Sequence, residues 1–243
     1  MRLHRFYIDP KYGSLATLQK DFIFPSELLH QWKRVFRFVS GDKVILFDGS
    51  GFEYECEIVS LNNKHGVTEL KVLKTRDKQQ KAAKEVWLFA TLIKKDNFEW
   101  IVQKATELGV SHIVPVVSER SEKKGLNLER AQKIVIEASE QSGRVTLPTI
   151  EEPKGLADVI QGVTQGMKCY AFDPTGETFM ADGQSGVKST NKAIGIFIGP
   201  EGGWSEKELE AFRSASISIY SIGSQILRAE TAAVAVTSLL LLG

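Results

Sequence analysis

Hydrophobic and polar residues alternate along residues 52–59, where three glutamates separate the apolar positions. A period of two predicts a strand with one face in a core and the other in water. A second apolar run precedes it, and the sequence Asp48-Gly-Ser-Gly51 between the two runs predicts a β-hairpin. The predicted strands of this front region are residues 43–47, 52–59 and 68–73, with a short helix at residues 25–36. We therefore expect residues 1–74 to form a small β-barrel.

From residue 85 onwards, short apolar runs alternate with segments of helical periodicity. This alternation predicts an α/β domain over residues 85–243, with a parallel sheet covered by helices on both faces. The predicted strands are residues 86–92, 112–117, 168–172, 193–198 and 217–222. The predicted helices run from a capping box at Asp96 to a stop at Gly109, from Leu128 to Gln141, from a capping box at Ser205 to Ser214, and from Ala229 to Leu242. Residues 75–84 are charge-dense and have no apolar period, so we expect a linker there.

The composition is that of an ordinary globular protein, with 42% hydrophobic and 25% charged residues and a net charge of +1. Residues 1–124 hold 21 Lys+Arg against 16 Asp+Glu, whereas residues 125–243 hold 10 against 14, so the front half favours an anionic partner. Cys56 and Cys169 match no metal or disulfide spacing, and we interpret them as reduced thiols. The N-terminal sequence has no signal-peptide pattern, and the apolar run from Ala232 is too short to span a bilayer. These features favour a cytoplasmic protein without a membrane partner.

Two glycine-bearing segments carry the strongest chemical signal. One is Ile-Gly-Pro-Glu-Gly-Gly-Trp-Ser at residues 198–205, and the other is Ile-Gly-Ser-Gln-Ile-Leu-Arg-Ala-Glu-Thr-Ala at residues 222–232. Each follows a predicted strand and precedes a predicted helix, and glycine lets a backbone approach a ligand closely. We therefore expect one cofactor pocket at the carboxyl edge of the parallel sheet. Neither segment matches a Walker loop or the Gly-x-Gly-x-x-Gly dinucleotide fingerprint, so phosphate binding has little support.

Further candidates for chemistry are polar or charged. Arg228 begins the last predicted helix, where a cation is misplaced on the helix dipole, so we interpret it as facing an anion, a carbonyl or a carboxylate. Residues 140–144 bring several polar side chains together on one turn. An ordinary helix C-cap explains Gly143 and Arg144 equally well. Lys94 and Arg120 follow predicted strands, and they either contact a phosphate backbone or lie in solvent. No histidine pair has zinc-ligand spacing and no hydrolase nucleophile motif is present, so we expect no metal and no hydrolase chemistry.

In this order and spacing, the motifs resemble the RsmE-type ribosomal RNA methyltransferases of the SPOUT class. The resemblance covers essentially the whole chain and rests on Arg5–Tyr7, Gly41–Asp42, Leu46–Gly49, Gln103–Val110, Pro115, Glu119–Ser121, Glu137–Arg144, Pro148, Ile198–Gly203, Gly223 and Ile226–Ala232. It implies a PUA-like RNA-binding β-barrel followed by a SPOUT α/β domain with a deep trefoil knot. It also implies a homodimer that uses S-adenosyl-L-methionine to methylate N3 of a uridine in the ribosomal RNA of the small ribosomal subunit. Residues 91–96 lack the signature of the ribose-methylating branch, which favours a base as the target.

The resemblance implies the cofactor-binding residues, whereas the catalytic candidates are our hypothesis from the chemistry of methyl transfer and each basic candidate of the barrel is equally well a solvated surface residue. The cofactor-binding candidates are Phe172, Ile198, Gly199, Glu201, Gly202, Gly203, Ile222, Gly223, Ile226, Leu227 and Thr231. The catalytic candidates are Arg228, to hold a uracil oxygen, and Glu201 or Glu230, to orient the base or accept its proton. The RNA-binding candidates are Arg5, Arg34, Arg37, Lys94, Arg120 and Arg144. Two other functions stay open: a non-catalytic RNA-binding or ribosome-assembly protein of the same fold, and a dehydrogenase-like nucleotide binder, which the missing fingerprint disfavours.

Overall fold

The computed structural model describes residues 3–17, 24–61, 68–78, 85–121, 125–163, 167–179 and 193–242. Residue contacts divide the chain into two compact units, one comprising Met1–Lys81 with Ser139–Thr146 and the other Ala82–Ala138 with Leu147–Gly243. The division after Lys81 falls within the predicted linker, of which residues 79–84 lie outside the described parts. The first unit is discontinuous, because it takes in a short segment that the sequence places within the second domain.

The first unit is built on a four-stranded sheet. Its elements are β1 (His4–Tyr7), two single-turn 3-10 helices (Pro10–Tyr12 and Leu15–Thr17), α1 (Ser26–Arg34), β2 (Lys43–Phe47), β3 (Phe52–Leu61) and β4 (Thr68–Asp77). The strand order is β1-β2-β3-β4, with β1 parallel to β2 and the other pairs antiparallel, so the predicted hairpin is confirmed. An apolar cluster packs α1 onto the sheet, and Trp32 at its centre is fully buried. Within the described residues no ladder joins β1 to β4, so closure into a barrel stays a prediction.

β4 extends three residues into the segment predicted to be a linker. Residues 75–77 stay in the sheet because they pair with residues 52–54 of β3, and Arg76 lies opposite Glu53 in this register. Arg76 also forms ion pairs with Glu53 at 3.0 Å and with Glu55 at 2.6 Å. The charged residues at positions 75–77, which indicate a linker in the sequence, therefore belong to a strand that cross-strand ion pairs stabilise.

Glu53 departs from the alternation predicted for β3. It was expected to face water, yet only 1% of its side chain is exposed, because cations enclose its carboxylate. Glu53 Oε2 lies 2.6 Å from Arg5 Nη1 and 3.0 Å from Lys78 Nζ. Burial alone would raise the pKa of Glu53, but hydrogen bonds from these two cations and from Arg76 outweigh burial and lower the pKa to about 2.

The segment Ser139–Thr146 belongs to the first unit because β1 binds it. β1 is an edge strand, and its Tyr7 N–H donates to Glu140 Oε1 at 2.9 Å. Arg5 Nη2 donates to the carbonyl oxygen of Arg144 at 3.3 Å. The polar cluster that the sequence singles out at residues 140–144 thus provides one acceptor for the backbone edge of β1 and one for the Arg5 side chain.

The second unit is an α/β fold whose strand–helix alternation matches the prediction. Its elements are β5 (Glu85–Thr91), α2 (Lys95–Leu108), β6 (His112–Val117), α3 (Leu128–Ser142, whose last turn groups with the first unit), β7 (Thr149–Ile150), β8 (Lys154–Gly155), α4 (Leu156–Gly162), β9 (Met167–Thr178), β10 (Ala193–Ile198), α5 (Glu206–Ser214), β11 (Ser218–Ser221) and α6 (Ala229–Leu241). The strands form one parallel sheet in the order β11-β9-β10-β5-β6-β7, with β8 also paired to β6. The predicted trefoil knot concerns how the chain passes through its own loops, and it stays a prediction.

Helices cover both faces of the large sheet. α2 and α6 pack against each other over one face, where they share a core with Leu88 and its neighbours on β5. α4 and α5 cover the other face, around Phe89. The capping box at Ser205 is confirmed, but the one at Asp96 is wrong, because the N-cap of α2 is Lys94 and no side chain caps it. In the described parts of the chain, no helix is both long and apolar enough to cross a membrane.

Candidate active site

A cavity of about 470 Å³ lies beside the bulge of β9 and the carboxyl ends of β10 and β11. These three strands are neighbours in the sheet, so the bulge and the loops after β10 and β11 meet at one edge. The lining comes from three segments, Phe172–Pro174, Ile198–Gly203 and Ser221–Ala229, together with Ala232. Its volume lies in the range of small-molecule sites, about 300–1,000 Å³. The two glycine segments of the sequence therefore form one pocket.

The first lining segment leaves the regular pairing of β9. On the β11 side the pairing jumps from Ala171 to Glu177, so residues 172–176 have no partner on β11. Asp173 holds this bulge in a tight turn, because its Oδ1 accepts from Thr175 N at 2.9 Å and from Thr175 Oγ1 at 2.6 Å. The bulge redirects the chain, and Phe172, Asp173 and Pro174 line the pocket as a result.

The loop after β10 requires glycine for two separate reasons. Gly199 packs against the indole of Trp204, where an added Cβ would lie 3.1 Å from Cε2 and Nε1. Gly203 has a φ of +67°, in the left-handed region that favours glycine. Trp204 Nε1 donates to the carbonyl oxygen of Phe172 at 3.1 Å, which ties this loop to the bulge of β9. The Trp204 indole therefore holds this loop in place, and glycine at position 199 leaves room for it.

The loop after β11 presents apolar side chains to the pocket. Ile226 is 85% exposed, the largest exposure among the described large apolar residues, and it lines the cavity beside Ile222 and Leu227. Arg228 follows as the N-cap of α6 and makes no capping hydrogen bond through its side chain. Ile222, Ile226 and Leu227 together give the cavity an apolar wall, which is typical of small-molecule sites.

The catalytic candidates separate into two groups. Arg228 and Glu201 both line the cavity, and both side chains are exposed. Glu230 and Thr231 do not line it, because the residues of α6 that reach the cavity are Ala229 and Ala232, three apart on one helix face. The roles predicted for Thr231 and Glu230 stay predictions. Every other predicted cofactor-binding residue lines the pocket.

The predicted RNA contacts of the first unit also separate. Arg34 and Arg37 are exposed. Arg5 has only 7% of its side chain exposed, is paired with Glu53 and lies 5.3 Å from the Phe47 ring centroid, and its predicted contact with RNA stays a prediction. Arg144 is half-buried; its Nε donates to the Thr146 carbonyl oxygen at 3.0 Å, and burial lowers the pKa of its guanidinium to about 10, so it stays charged at neutral pH.

The two basic candidates of the second unit lie on the loops after β5 and β6. Lys94 is exposed at the N-cap position of α2. Arg120 is also exposed, but its Nη1 donates to the Gly202 carbonyl oxygen at 2.7 Å and to the Trp204 carbonyl oxygen at 3.3 Å. It therefore contacts the glycine loop of the pocket, which the sequence did not predict.

Sequence reasoning missed several lining residues. Pro174 and Ser221 lie outside the segments that the sequence singles out. Five more lie within those segments without being named as cofactor-binding residues: Pro200, Ser224, Gln225, Ala229 and Ala232. Asp173 belongs to the segment Phe172–Asp173 that the resemblance places at the cofactor, and it begins the turn signal Asp-Pro-Thr-Gly. Among the described residues, no group of three or more His, Cys, Asp or Glu side chains could hold a metal ion.

Comparison with known proteins identifies both units. The model of an RNA methyltransferase domain family matches residues 79–241, and that of an RNA methyltransferase PUA domain family matches residues 33–70. The ribosomal RNA small subunit methyltransferase E of Rickettsia conorii is 34% identical over 246 residues, covering 100% of this chain and 97% of that protein. The Bacillus subtilis protein of the same name is 31% identical over 221 residues, covering 87% of this chain and 86% of its own.

A solved structure matches nearly the whole chain. The crystal structure of a ribosomal RNA small subunit methyltransferase E from Neisseria gonorrhoeae, bound to S-adenosyl methionine, has a TM-score of 0.85 and 28% identity. The match covers 98% of this chain and 96% of that one. Fold and family models together define an RNA methyltransferase with a PUA domain. More narrowly, the chain belongs to the ribosomal RNA small subunit methyltransferase E family, which confirms the resemblance drawn from the motifs.

Proposed function

We propose that this chain uses S-adenosyl-L-methionine to methylate N3 of a uridine in small-subunit ribosomal RNA. The observation that carries the proposal is the pocket formed by the bulge of β9 and by the loops after β10 and β11, in a chain of this family. The relative from Neisseria gonorrhoeae, which has the same fold, binds S-adenosyl methionine. We further propose a cytoplasmic homodimer.

The residues of the pocket fit this cofactor. Ile198, Ile222 and Leu227 offer apolar surface for an adenine ring, and the backbone of Gly199 and Gly203 lines the cavity for its polar edge. When bound, the cofactor supplies a methyl group activated by a sulfonium. The work left to the protein is to hold a nucleophile in line with that methyl group at close distance.

Uridine N3 carries a proton and is a poor nucleophile until that proton leaves. The site must therefore stabilise the negative charge that spreads onto the uracil oxygens, or accept the proton. Arg228, exposed at the pocket, donates to a uracil oxygen, and Glu201 orients the base or accepts its proton. A paired base must also leave its stack, at a cost of a few kcal/mol.

The first test concerns the activity itself. Mass mapping of ribosomal RNA from cells that lack this protein should reveal one missing methyl group on a uracil ring, and re-expression should restore it. Calorimetry of the purified protein should give stoichiometric binding of S-adenosyl-L-methionine. RNA binding without cofactor binding or methyl loss would instead favour a non-catalytic RNA-binding protein.

The second test concerns Arg228. We expect Arg228→Ala to lower single-turnover methylation more than tenfold, because it removes a charge-assisted hydrogen bond to a developing anion. Arg213→Ala is the matched control, since Arg213 is exposed on α5 and pairs with Glu210. A loss of less than tenfold, or an equal loss in the control, would exclude Arg228 as a transition-state group.

The RNA-binding role of Arg34 and Arg37 is tested by charge reversal. Changing both to Glu should weaken binding of an unmethylated RNA fragment and flatten its salt dependence, because fewer counterions are released on binding. The control reverses Lys133 and Arg213, both exposed in the second unit. Unchanged affinity at low salt would remove Arg34 and Arg37 from the RNA-binding set.

The proposed dimer is supported by apolar side chains left exposed on two helices that pack together. Leu242 is 70% exposed just beyond α6, Leu239 on α6 is 38% exposed, and Trp100 on α2 is 40% exposed. A second copy would cover such a surface. Sedimentation should show a dimer that Leu239→Asp converts to a monomer. A monomeric parent protein would contradict the proposal.

A further inference from the structure

We infer that Arg120 is a positioning residue for the cofactor pocket, holding the loop Gly199–Trp204 in its binding conformation. This inference rests on the proposed function for its ligand and on the contacts of Arg120 for its mechanism. It replaces the RNA-binding role suggested by the sequence with a role inside the second unit.

The geometry is that of a clamp across the sheet. β5 lies between β6 and β10, so the turn after β6 must reach past the end of β5 to touch the loop after β10. Arg120 spans that distance, and its Nη1 donates to the carbonyl oxygens of Gly202 at 2.7 Å and Trp204 at 3.3 Å. The stem of Arg120 also packs on Gly202, where an added Cβ would lie 3.5 Å from its Cδ.

A buried carboxylate makes a second connection between the same two segments. Glu208 on α5 is 8% exposed, and its Oε1 accepts from Glu119 N at 2.8 Å. Its Oε2 accepts from Ser205 N at 2.8 Å, at the end of the glycine loop. The turn that carries Arg120 is itself fixed, because Ser121 Oγ accepts from Ser118 N at 3.0 Å.

The clamp matters because three of the six loop residues are glycine, which has the greatest backbone freedom to lose on ordering. The Trp204 indole, which packs on Gly199 and donates to the Phe172 carbonyl oxygen, holds the two ends of the loop. Between them, Gly203 N donates to the Pro200 carbonyl oxygen at 2.9 Å, and Arg120 is the side chain that binds the Gly202 carbonyl oxygen. Without Arg120 the binding conformation is one of several, and the apparent affinity for a ligand falls with its population.

The first arm of the test needs no cofactor. Hydrogen exchange of the full protein should show faster exchange in peptides covering residues 199–205 in Arg120→Ala, with other peptides and the melting temperature little changed. Arg213→Ala should leave these peptides unchanged. Equal protection in Arg120→Ala and the parent protein would overturn the inference, whether or not the protein binds S-adenosyl-L-methionine.

The second arm of the test measures the affinity for S-adenosyl-L-methionine and the affinity for RNA separately. For S-adenosyl-L-methionine, Arg120→Ala should raise Kd and KM about tenfold while kcat changes little, and Arg120→Lys should recover part of the affinity because lysine can still reach one carbonyl. Affinity for RNA in the absence of cofactor should stay within about twofold. A loss of RNA affinity with unchanged cofactor affinity would overturn the inference and return Arg120 to the RNA. Absence of cofactor binding in the parent protein would instead refute the proposed function.

Discussion

Replacement of Glu53 by Gln tests the buried charge cluster of the first unit. The substitution keeps the shape of the side chain and removes the charge that Arg5, Lys78 and Arg76 share. Arg5, with 7% of its side chain exposed, would then keep its charge without its counter-charge. Removing one partner of a buried ion pair costs about 3–5 kcal/mol.

The pKa of Glu53 gives a second route to the magnitude. A carboxyl whose pKa falls from 4.5 to about 2 on folding contributes about 3 kcal/mol of stability, at about 1.4 kcal/mol per pH unit. Because the pKa is lowered in the folded state, this contribution is complete above pH 4.5 and is lost as the pH falls towards 2. The parent protein and Glu53→Gln should thus differ by about 3 kcal/mol at pH 7 and by about half as much at pH 3.

The assay must report on the first unit alone. Urea unfolding followed by hydrogen exchange of peptides from β3 does so, because these peptides belong to one unit of a two-unit chain. Glu55→Gln is the matched control on the same strand; it is 18% exposed and pairs with Arg76, so we expect a loss of about 1 kcal/mol or less. A Glu53→Gln loss below about 1 kcal/mol at pH 7, or one that does not shrink with acid, would refute the reasoning.

Three further results are expected. Gly199→Ala should weaken binding of S-adenosyl-L-methionine at least fivefold by calorimetry, because the new Cβ would lie 3.1 Å from the Trp204 indole. The control Gly162→Ala, whose new Cβ would have nothing within 4 Å, should not weaken it. Unchanged affinity in Gly199→Ala would contradict this prediction. Trp204→Phe should lower stability by about 1 kcal/mol in urea unfolding, since the Phe172 carbonyl oxygen loses its donor, and no loss would mean that water replaces the indole. Burial raises the pKa of the Cys56 thiol to about 12 and that of Cys169 to about 11, so neither should react with a thiol reagent at pH 8 until the protein is unfolded; fast labelling of the folded protein would contradict their burial.

Local patterns were enough to predict much of the fold. The bounds of β6 and β10 match the prediction, and the capping box at Ser205 forms as expected, because period, breakers and caps act over a few residues. The pocket could also be predicted, since the carboxyl ends of parallel strands meet at one edge. The prediction that Gly199 and Leu227 share a pocket does not depend on knowing the order of the strands in the sheet.

What the sequence missed depends on contacts between distant residues. The burial of Glu53 requires cations from β1 and from the end of β4, and neither follows from the alternation along β3. The contact of Arg120 with the loop after β10 depends on the position of β5 between β6 and β10, and no local sequence pattern encodes that order.

The hydrogen bonds from β1 to residues 140 and 144 bear on any attempt to isolate the RNA-binding part. A truncated protein that stops near Lys81 would leave the Tyr7 amide without its carboxylate acceptor and Arg5 without the carbonyl of Arg144. Its bare strand edge would invite association between molecules. A self-sufficient fragment would need residues 139–146 grafted back through a short tether.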